Sequence, residues 1–242
     1  MRFKFIENLG REVRDTLLRF LRDYSEALLL AVILAVILRL FVFGSYKISN
    51  VTMEPGLKLG DFVLGYRLPY GVTLPFTSIK LGATRPQRGD IVVFRCPDNR
   101  SQNCVKRVVA VEGDRVVIKG KNLIINGHKA LYAKSKQSFG QSRDSQEIAL
   151  LTEKWMSNPS REILISSDKK LSHFGPYIVP PKTFFALGDN RDFSEDSRHW
   201  AAIPIEHIES RLFLVWFSVE WSANVKGEYS SKIRWSRILH SL

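Results

Sequence analysis

The chain has 242 residues, 45% of them hydrophobic and 25% charged, a composition that fits one sizeable folded domain or two small ones and excludes general disorder. Lys and Arg total 36 against 24 Asp and Glu, a net charge of +12, which suits an anionic membrane surface, nucleic acid, or neither in particular. Only two cysteines occur, Cys96 and Cys104, which excludes a cysteine-built zinc site and a disulfide-dense scaffold.

Residues 1–26 carry Arg2, Lys4, Arg11, Arg14, Arg19 and Arg22. Residues 27–43, ALLLAVILAVILRLFVF, follow, and sixteen of the seventeen are apolar. A helix of that length reaches roughly 25 Å, close to a hydrocarbon core, and Arg39 near its end can snorkel to the headgroups. A buried core helix and a cleaved signal peptide compete with an anchor. The signal peptide is disfavoured because 26 residues precede the run and no small-x-small site closes it. We read a single transmembrane anchor over 27–43. The cations before it predict a cytoplasmic segment 1–26 and an extracytoplasmic domain over 44–242. That compartment admits a disulfide between Cys96 and Cys104, which flank the turn-forming Pro97, Asp98, Asn99 and Ser101; free thiols remain the alternative.

Beyond the anchor the chain reads as mainly β. Asp61–Tyr66, Ile91–Arg95, Val105–Val111, Arg115–Lys119, Asn122–Ile125, Thr183–Leu187 and Arg211–Val219 are short and rich in β-branched and aromatic residues, with Gly or Pro between them. Asn126-Gly127 predicts a hairpin turn. Residues 133–176, rich in Ser, Lys, Gln and Asp, read as an inserted variable region in which only IALLTEKW looks helical. Trp235, Ile238, Leu239 and Leu242, at i, i+3, i+4 and i+7, predict an amphipathic helix over Lys232–Leu242, packed on the β body or lying on the membrane.

Four segments carry chemistry. Ser49-Asn50-Val51-Thr52-Met53-Glu54-Pro55-Gly56 places hydroxyls and an amide just past the anchor. Arg88-Gly89-Asp90-Ile91-Val92-Val93-Phe94 comes next. In Val105-Lys106-Arg107-Val108-Val109, two cations interrupt an apolar strand, so they point to opposite faces and one of them faces inward. A Lys in an apolar setting loses proton affinity and becomes a neutral base near neutral pH. Residues 188–200, GDNRDFSEDSRHW, hold acids, arginines and serines dense enough for a paired polar network, with a solvated charged loop as the plainer reading. The five histidines fall in no metal-ligand spacing.

Taken together these segments resemble bacterial type I signal peptidase, a membrane-anchored serine peptidase that removes signal peptides from exported proteins. The resemblance rests on the post-anchor Met-x-Pro box, Gly60-Asp61, RGDIVVF, Lys106-Arg107-Val108-Val109 and GDNRD-S-DSR, and covers the anchor, residues 46–66, 86–118 and 183–200, and loosely the C-terminal strand and expected helix. It implies a signal-peptidase-like β-rich catalytic domain behind a single N-terminal transmembrane helix in the bacterial inner membrane, facing the periplasm or outer side. It implies a hydroxyl/Lys dyad that needs no metal or cofactor, signal peptides and membrane lipids as partners, and shallow pockets for small side chains before the cleaved bond. The general base falls on Lys106, the Ser that hydrogen-bonds it on Ser194, and the bracing acids and arginines on Asp189, Arg191, Asp196 and Arg198. The family's nucleophile is a Ser; here the position is Thr52. Val51 replaces the usual Gly and Gly56 the usual Thr. Asn50 stands where a Ser hydroxyl helps hold the oxyanion in some members, and its amide could donate there instead. Ser49 and Ser45 are out of register for the nucleophile. The altered box keeps open a non-catalytic paralogue that binds signal peptides or membrane partners without cleavage. Nucleic-acid binding is a weaker reading, since no basic-aromatic motif stands out.

Overall fold

The computed structural model describes residues 2–73, 80–135, 148–155, 159–166, 172–223 and 229–242. The chain forms two units, Met1–Val42 and Phe43–Leu242. In the first, a helix Arg2–Asp23 passes through Tyr24 into a helix Ser25–Ile37, which widens into a π-helical end at Leu38–Val42. Ser25–Val42 has a mean hydropathy of 2.4 and buries none of its residues within the unit, so its apolar surface is free to meet lipid. The apolar helix thus begins two residues before the expected 27–43 and ends one residue sooner, because Phe43 already opens a strand.

The second unit is built on an antiparallel sheet. Its order is Phe43–Lys47, Asp61–Tyr66, Ile208–Ala223, Ile91–Arg95, Asn103–Val111, Thr183–Leu187 and Ile203–Pro204. Ile208–Ala223 is the spine, pairing with Asp61–Tyr66 and Ile91–Arg95 through register shifts that bend it. In Asp61–Tyr66 burial alternates residue by residue, as a strand with one face on the core requires. Ile91, Val92, Val93 and Phe94 are all buried, which is why that strand reads as an unbroken apolar run. Val92, Phe94, Val108, Phe184 and Ala186 pack one core; Val63, Ile91, Val93, Leu212 and Val215 pack a second. Smaller sheets join Leu131–Lys134 with Ile148–Lys154 and Arg161–Ser166, and Ser172–Ile178 with Arg115–Gly120, Asn122–Ile125 and His128–Lys129. Asn126 and Gly127 take φ of 52° and 83°, the left-handed pair that the hairpin turn demands. Cys96 and Cys104 are bonded across the mouth of the loop between Ile91–Arg95 and Asn103–Val111.

Two expected helices are strands. Ile148–Lys154 pairs on one side with Leu131–Lys134 and on the other with Arg161–Ser166, and it buries Leu150 and Glu153. The run IALLTEK suits either period, and the two flanking strands decide it. The described part of 133–176 is therefore largely sheet; residues 136–147, 156–158 and 167–171 lie outside the described residues. At the C-terminus a strand Tyr229–Ile233, one 3-10 turn Trp235–Arg237 and a strand His240–Ser241 replace the helix. Trp235 and Leu239 stay exposed, at 73% and 71%. The backbone is drawn off by the spine instead, Arg234 N–H to Ser218 O and Leu242 N–H to Phe213 O.

Candidate active site

The loop 48–60 leaves the sheet between Phe43–Lys47 and Asp61–Tyr66. Its two ends are tied together, Ile48 N–H to Asp61 O at 2.8 Å and Gly60 N–H to Ile48 O at 3.0 Å. Met53 and Leu57 are sunk in the core with Ile48, Val63 and Val93, so the intervening backbone is fixed by its own apolar anchors. Asp61, fully buried, accepts from Ser218 Oγ at 2.6 Å and from Arg237 Nε at 3.1 Å. Arg237 also donates to Gly56 O at 2.7 Å, and Arg234 donates to Leu59 O. Burial drives the Asp61 carboxyl upward, but Arg237, Ser218 and the Lys58 N–H outweigh it and hold it below the ordinary carboxylate range. Thr52, half-buried, stands on this braced loop.

Lys106 enters from the Asn103–Val111 strand and is 3% exposed. Its Nζ donates to Thr52 Oγ1 at 2.9 Å. Burial pushes the ammonium down to about 8; Asp196 pulls it back up, Arg198 pushes it lower, and Glu195 and Asp189 raise it. Arg107, the next residue, points to the other side of the strand as expected and grips Asp189 through two bonds of 2.9 and 2.7 Å.

Residues 188–198 cover the loop from above. Asn190 N–H donates to Thr52 O and Asn190 Nδ2 to Val51 O, both at 3.1 Å. Asp196 accepts from Gly188 N–H at 3.0 Å and from Arg198 Nε at 2.8 Å, and Arg198 Nη2 also reaches Ser194 O at 3.2 Å. Ser197 Oγ accepts from Ala186 N–H at 3.0 Å. Arg191 turns away to Glu153. The acids and arginines of the segment thus sort into separate pairs, with Arg107 and Glu153 recruited from outside it, rather than into one closed network among themselves.

Thr52 and Lys106 are therefore brought together, with Asp189, Asp196 and Arg198 around them. One expectation is corrected. Among the described residues Ser194 makes no hydrogen bond to Lys106: its hydroxyl donates to Glu195 O at 3.4 Å, and the turn that follows is tied to Ala186 and Gly188 through Ser197 and Asp196. In the free chain Asn50 presents its oxygen to Thr52: Oδ1 accepts from Thr52 Oγ1 at 2.8 Å and from Thr52 N–H at 3.4 Å. Glu153, Asn190 and the Arg234/Arg237 pair went unrecognised in the sequence. Glu153 carried a signal, an acid on a face of IALLTEK that must be buried in a strand.

A model of the signal peptidase, peptidase S26 family matches residues 21–217. The chain belongs to this family. Signal peptidase I of Pseudomonas fluorescens is 31% identical over 230 residues, covering 88% of this chain and 76% of the relative. Signal peptidase I of Pseudomonas aeruginosa is 30% identical over 211 residues, covering 81% and 72%. A crystal structure of a signal peptidase I from Enterococcus faecalis gives a TM-score of 0.33 at 23% identity, over 53% of this chain and 97% of that one.

In this signal peptidase family member the matched residues take in Thr52, Lys106 and the segment 188–200, and stop short of Arg234 and Arg237. Gly188 lies at a close approach of the 188–198 segment to the Thr52 loop. A Cβ there would stand 2.6 Å from Thr52 O and would overlap the Ser194 hydroxyl. Gly188→Ala is expected to push the Thr52 loop out of line, and a displacement of about 1 Å costs on the order of 100-fold in rate. Cleavage rates read beside a melting curve check this, the rate falling far more than the fraction folded.

Proposed function

We propose that the chain is a membrane-anchored endopeptidase that removes signal peptides from exported preproteins, with Thr52 as nucleophile and Lys106 as general base. The observation that carries the reading is the 2.9 Å approach of Lys106 Nζ to Thr52 Oγ1, at a Lys whose burial brings its pKa to about 8. A hydroxyl beside a desolvated Lys is a recurring substitute for the serine–histidine pair.

Neutral Lys106 takes the Oγ1 proton as Oγ1 attacks the carbonyl carbon after a small residue of the signal peptide. The backbone N–H of Thr52 donates to the oxyanion that forms. The tetrahedral intermediate collapses, the C–N bond breaks, and the Lys106 ammonium returns the proton to the leaving amine. Water, deprotonated by Lys106 in turn, then hydrolyses the Thr52 ester. The threonine methyl narrows the rotamers open to Oγ1, and the braced loop supplies the compensating alignment. Asp189, Asp196, Arg191 and Arg198 position the segment that covers Thr52. The six cations before the apolar helix support a cytoplasmic segment 1–26, a span over 27–43, and a domain 44–242 on the outer side of a bacterial inner membrane, where exported preproteins emerge. The positive charge favours anionic headgroups beside it.

The test is cleavage of a preprotein by the purified full chain in detergent, with product termini read by mass spectrometry. Wild type is expected to cut after a small residue, Thr52→Ala to lose on the order of 10⁴-fold or more in kcat, and Thr52→Ser to cut at the same bond. Peptide binding without any turnover by wild type or Thr52→Ser would favour a binding-only paralogue instead.

A further inference from the structure

We infer that Asn50 is a stopper on the nucleophile: in the empty site its side-chain oxygen holds the Thr52 hydroxyl proton and the N–H that the substrate's oxyanion will need, and the substrate carbonyl must displace it before attack. The inference rests on the dyad just proposed and adds a residue that sets when the dyad is armed.

The bonds around Thr52 Oγ1 define the state. Oγ1 has one proton, and it is donated to Asn50 Oδ1 at 2.8 Å. Oγ1 in turn accepts from Lys106 Nζ at 2.9 Å. Attack needs the opposite polarity at that second bond, with Oγ1 donating to a neutral Nζ. A hydroxyl carries a single donor, so a proton committed to Asn50 is withheld from Lys106. The backbone N–H of Thr52, the donor an oxyanion needs, also faces Asn50 Oδ1, at 3.4 Å. One oxygen therefore holds both the proton that Lys106 must take and the N–H that the oxyanion needs.

The orientation of the amide follows from its surroundings rather than from choice. Turning Nδ2 inward would set its N–H groups against the Thr52 N–H, donor against donor; Oγ1 can accept as well as donate, so the backbone N–H is what selects the oxygen. The stopper is also releasable. Asn50 is exposed, and among the described residues its side chain makes no other hydrogen bond than these two. An exposed amide held by two ordinary bonds is displaced at modest cost by a carbonyl that offers the same N–H a better acceptor.

Because the stopper stabilises only the free enzyme, its removal acts on substrate association and not on the bound complex. Asn50→Ala is expected to lower KM about fivefold with kcat unchanged, the net worth of its two exposed bonds to Thr52 once water replaces them. Asn50→Asp keeps the acceptor and adds charge; a charge-assisted bond is roughly twice as strong, so KM is expected to rise about fivefold. A peptide boronic acid ending in alanine, used as the tetrahedral probe, should bind Asn50→Ala about fivefold tighter than wild type, and this readout needs no turnover. A fall in kcat for Asn50→Ala, or weaker boronate binding, would show Asn50 donating to the oxyanion and overturn the inference while leaving the dyad standing. Absence of cleavage by wild type and by Asn50→Ala, with no boronate binding by either, would remove the dyad itself.

Discussion

Lys106→Ala is expected to lower kcat/KM by about 10²–10⁴-fold, the usual contribution of a general base. Lys106→Arg is expected to fall as far, because a guanidinium keeps its proton at every working pH. In the wild type, burial sets the Lys106 pKa at about 8, and only the neutral amine accepts from Thr52. The sign follows: kcat/KM rises with pH, bending over as pH passes about 8, and a stopped-time assay between pH 6 and pH 10 reads it. The same burial has a thermodynamic counterpart. A Lys whose pKa is lower folded than unfolded destabilises the fold while it is charged, so that cost is present below pH 8 and fades as pH rises toward the unfolded value. Lys106→Met is accordingly expected to melt at or above the wild-type temperature at pH 7 while being inactive. Loss of activity with an equal loss of folded protein would contradict both statements.

Glu153→Ala is expected to be the most destabilising single change in the domain. Glu153 is fully buried and accepts from Tyr132 OH at 2.9 Å, from Arg161 Nη2 at 2.6 Å and from Arg191. Removing one partner of such a cluster strands buried guanidinium groups and costs about 3–5 kcal/mol, which in a domain of this size lowers Tm by roughly 10 °C. Burial raises the Glu153 carboxyl, but Arg191 and Arg161 outweigh it and hold the pKa at about 2, below the ordinary 4.5. Its contribution is therefore complete above pH 4.5 and is lost as pH falls toward 2. Denaturant titrations at pH 7, 4.5 and 3 on wild type and Glu153→Gln check this: the wild type loses stability across that window and the variant, already weaker, loses less. Activity is expected to fall with stability, since Arg191 belongs to the segment whose neighbour Asn190 holds the Thr52 and Val51 carbonyls.

The strands whose pattern is local were legible in the sequence. Asp61–Tyr66, Ile91–Arg95, Asn122–Ile125 and Thr183–Leu187 begin and end where β-branched runs and their flanking Gly and Pro place them. The facing of Lys106 and Arg107 to opposite sides followed from strand period alone. What escaped depended on distant partners. IALLTEK has no local preference between helix and strand, and Glu153 acquires its meaning from Arg191, 38 residues later. Trp235, Ile238, Leu239 and Leu242 have helical spacing, yet Arg234 just before them and Arg237 among them are drawn to Asp61, and a 3-10 turn between two strands forms in place of the helix. The polarity of Asn50 was beyond sequence as well: an amide can donate or accept, and the Thr52 backbone N–H selects its oxygen.

The bracing of the Thr52 loop by Arg237 also sets a timetable. Arg237 follows Asp61 by 176 residues, and a ribosome adding 5–20 residues per second needs roughly 10–35 s to travel that far. Throughout that interval Asp61 lacks the cations that make its burial tolerable, and the Gly56 and Leu59 carbonyls lack their donors. A nascent chain that already displays Thr52, Lys106 and the 188–198 segment is therefore without a finished site, and the hydrolase matures only when its final strands have been made.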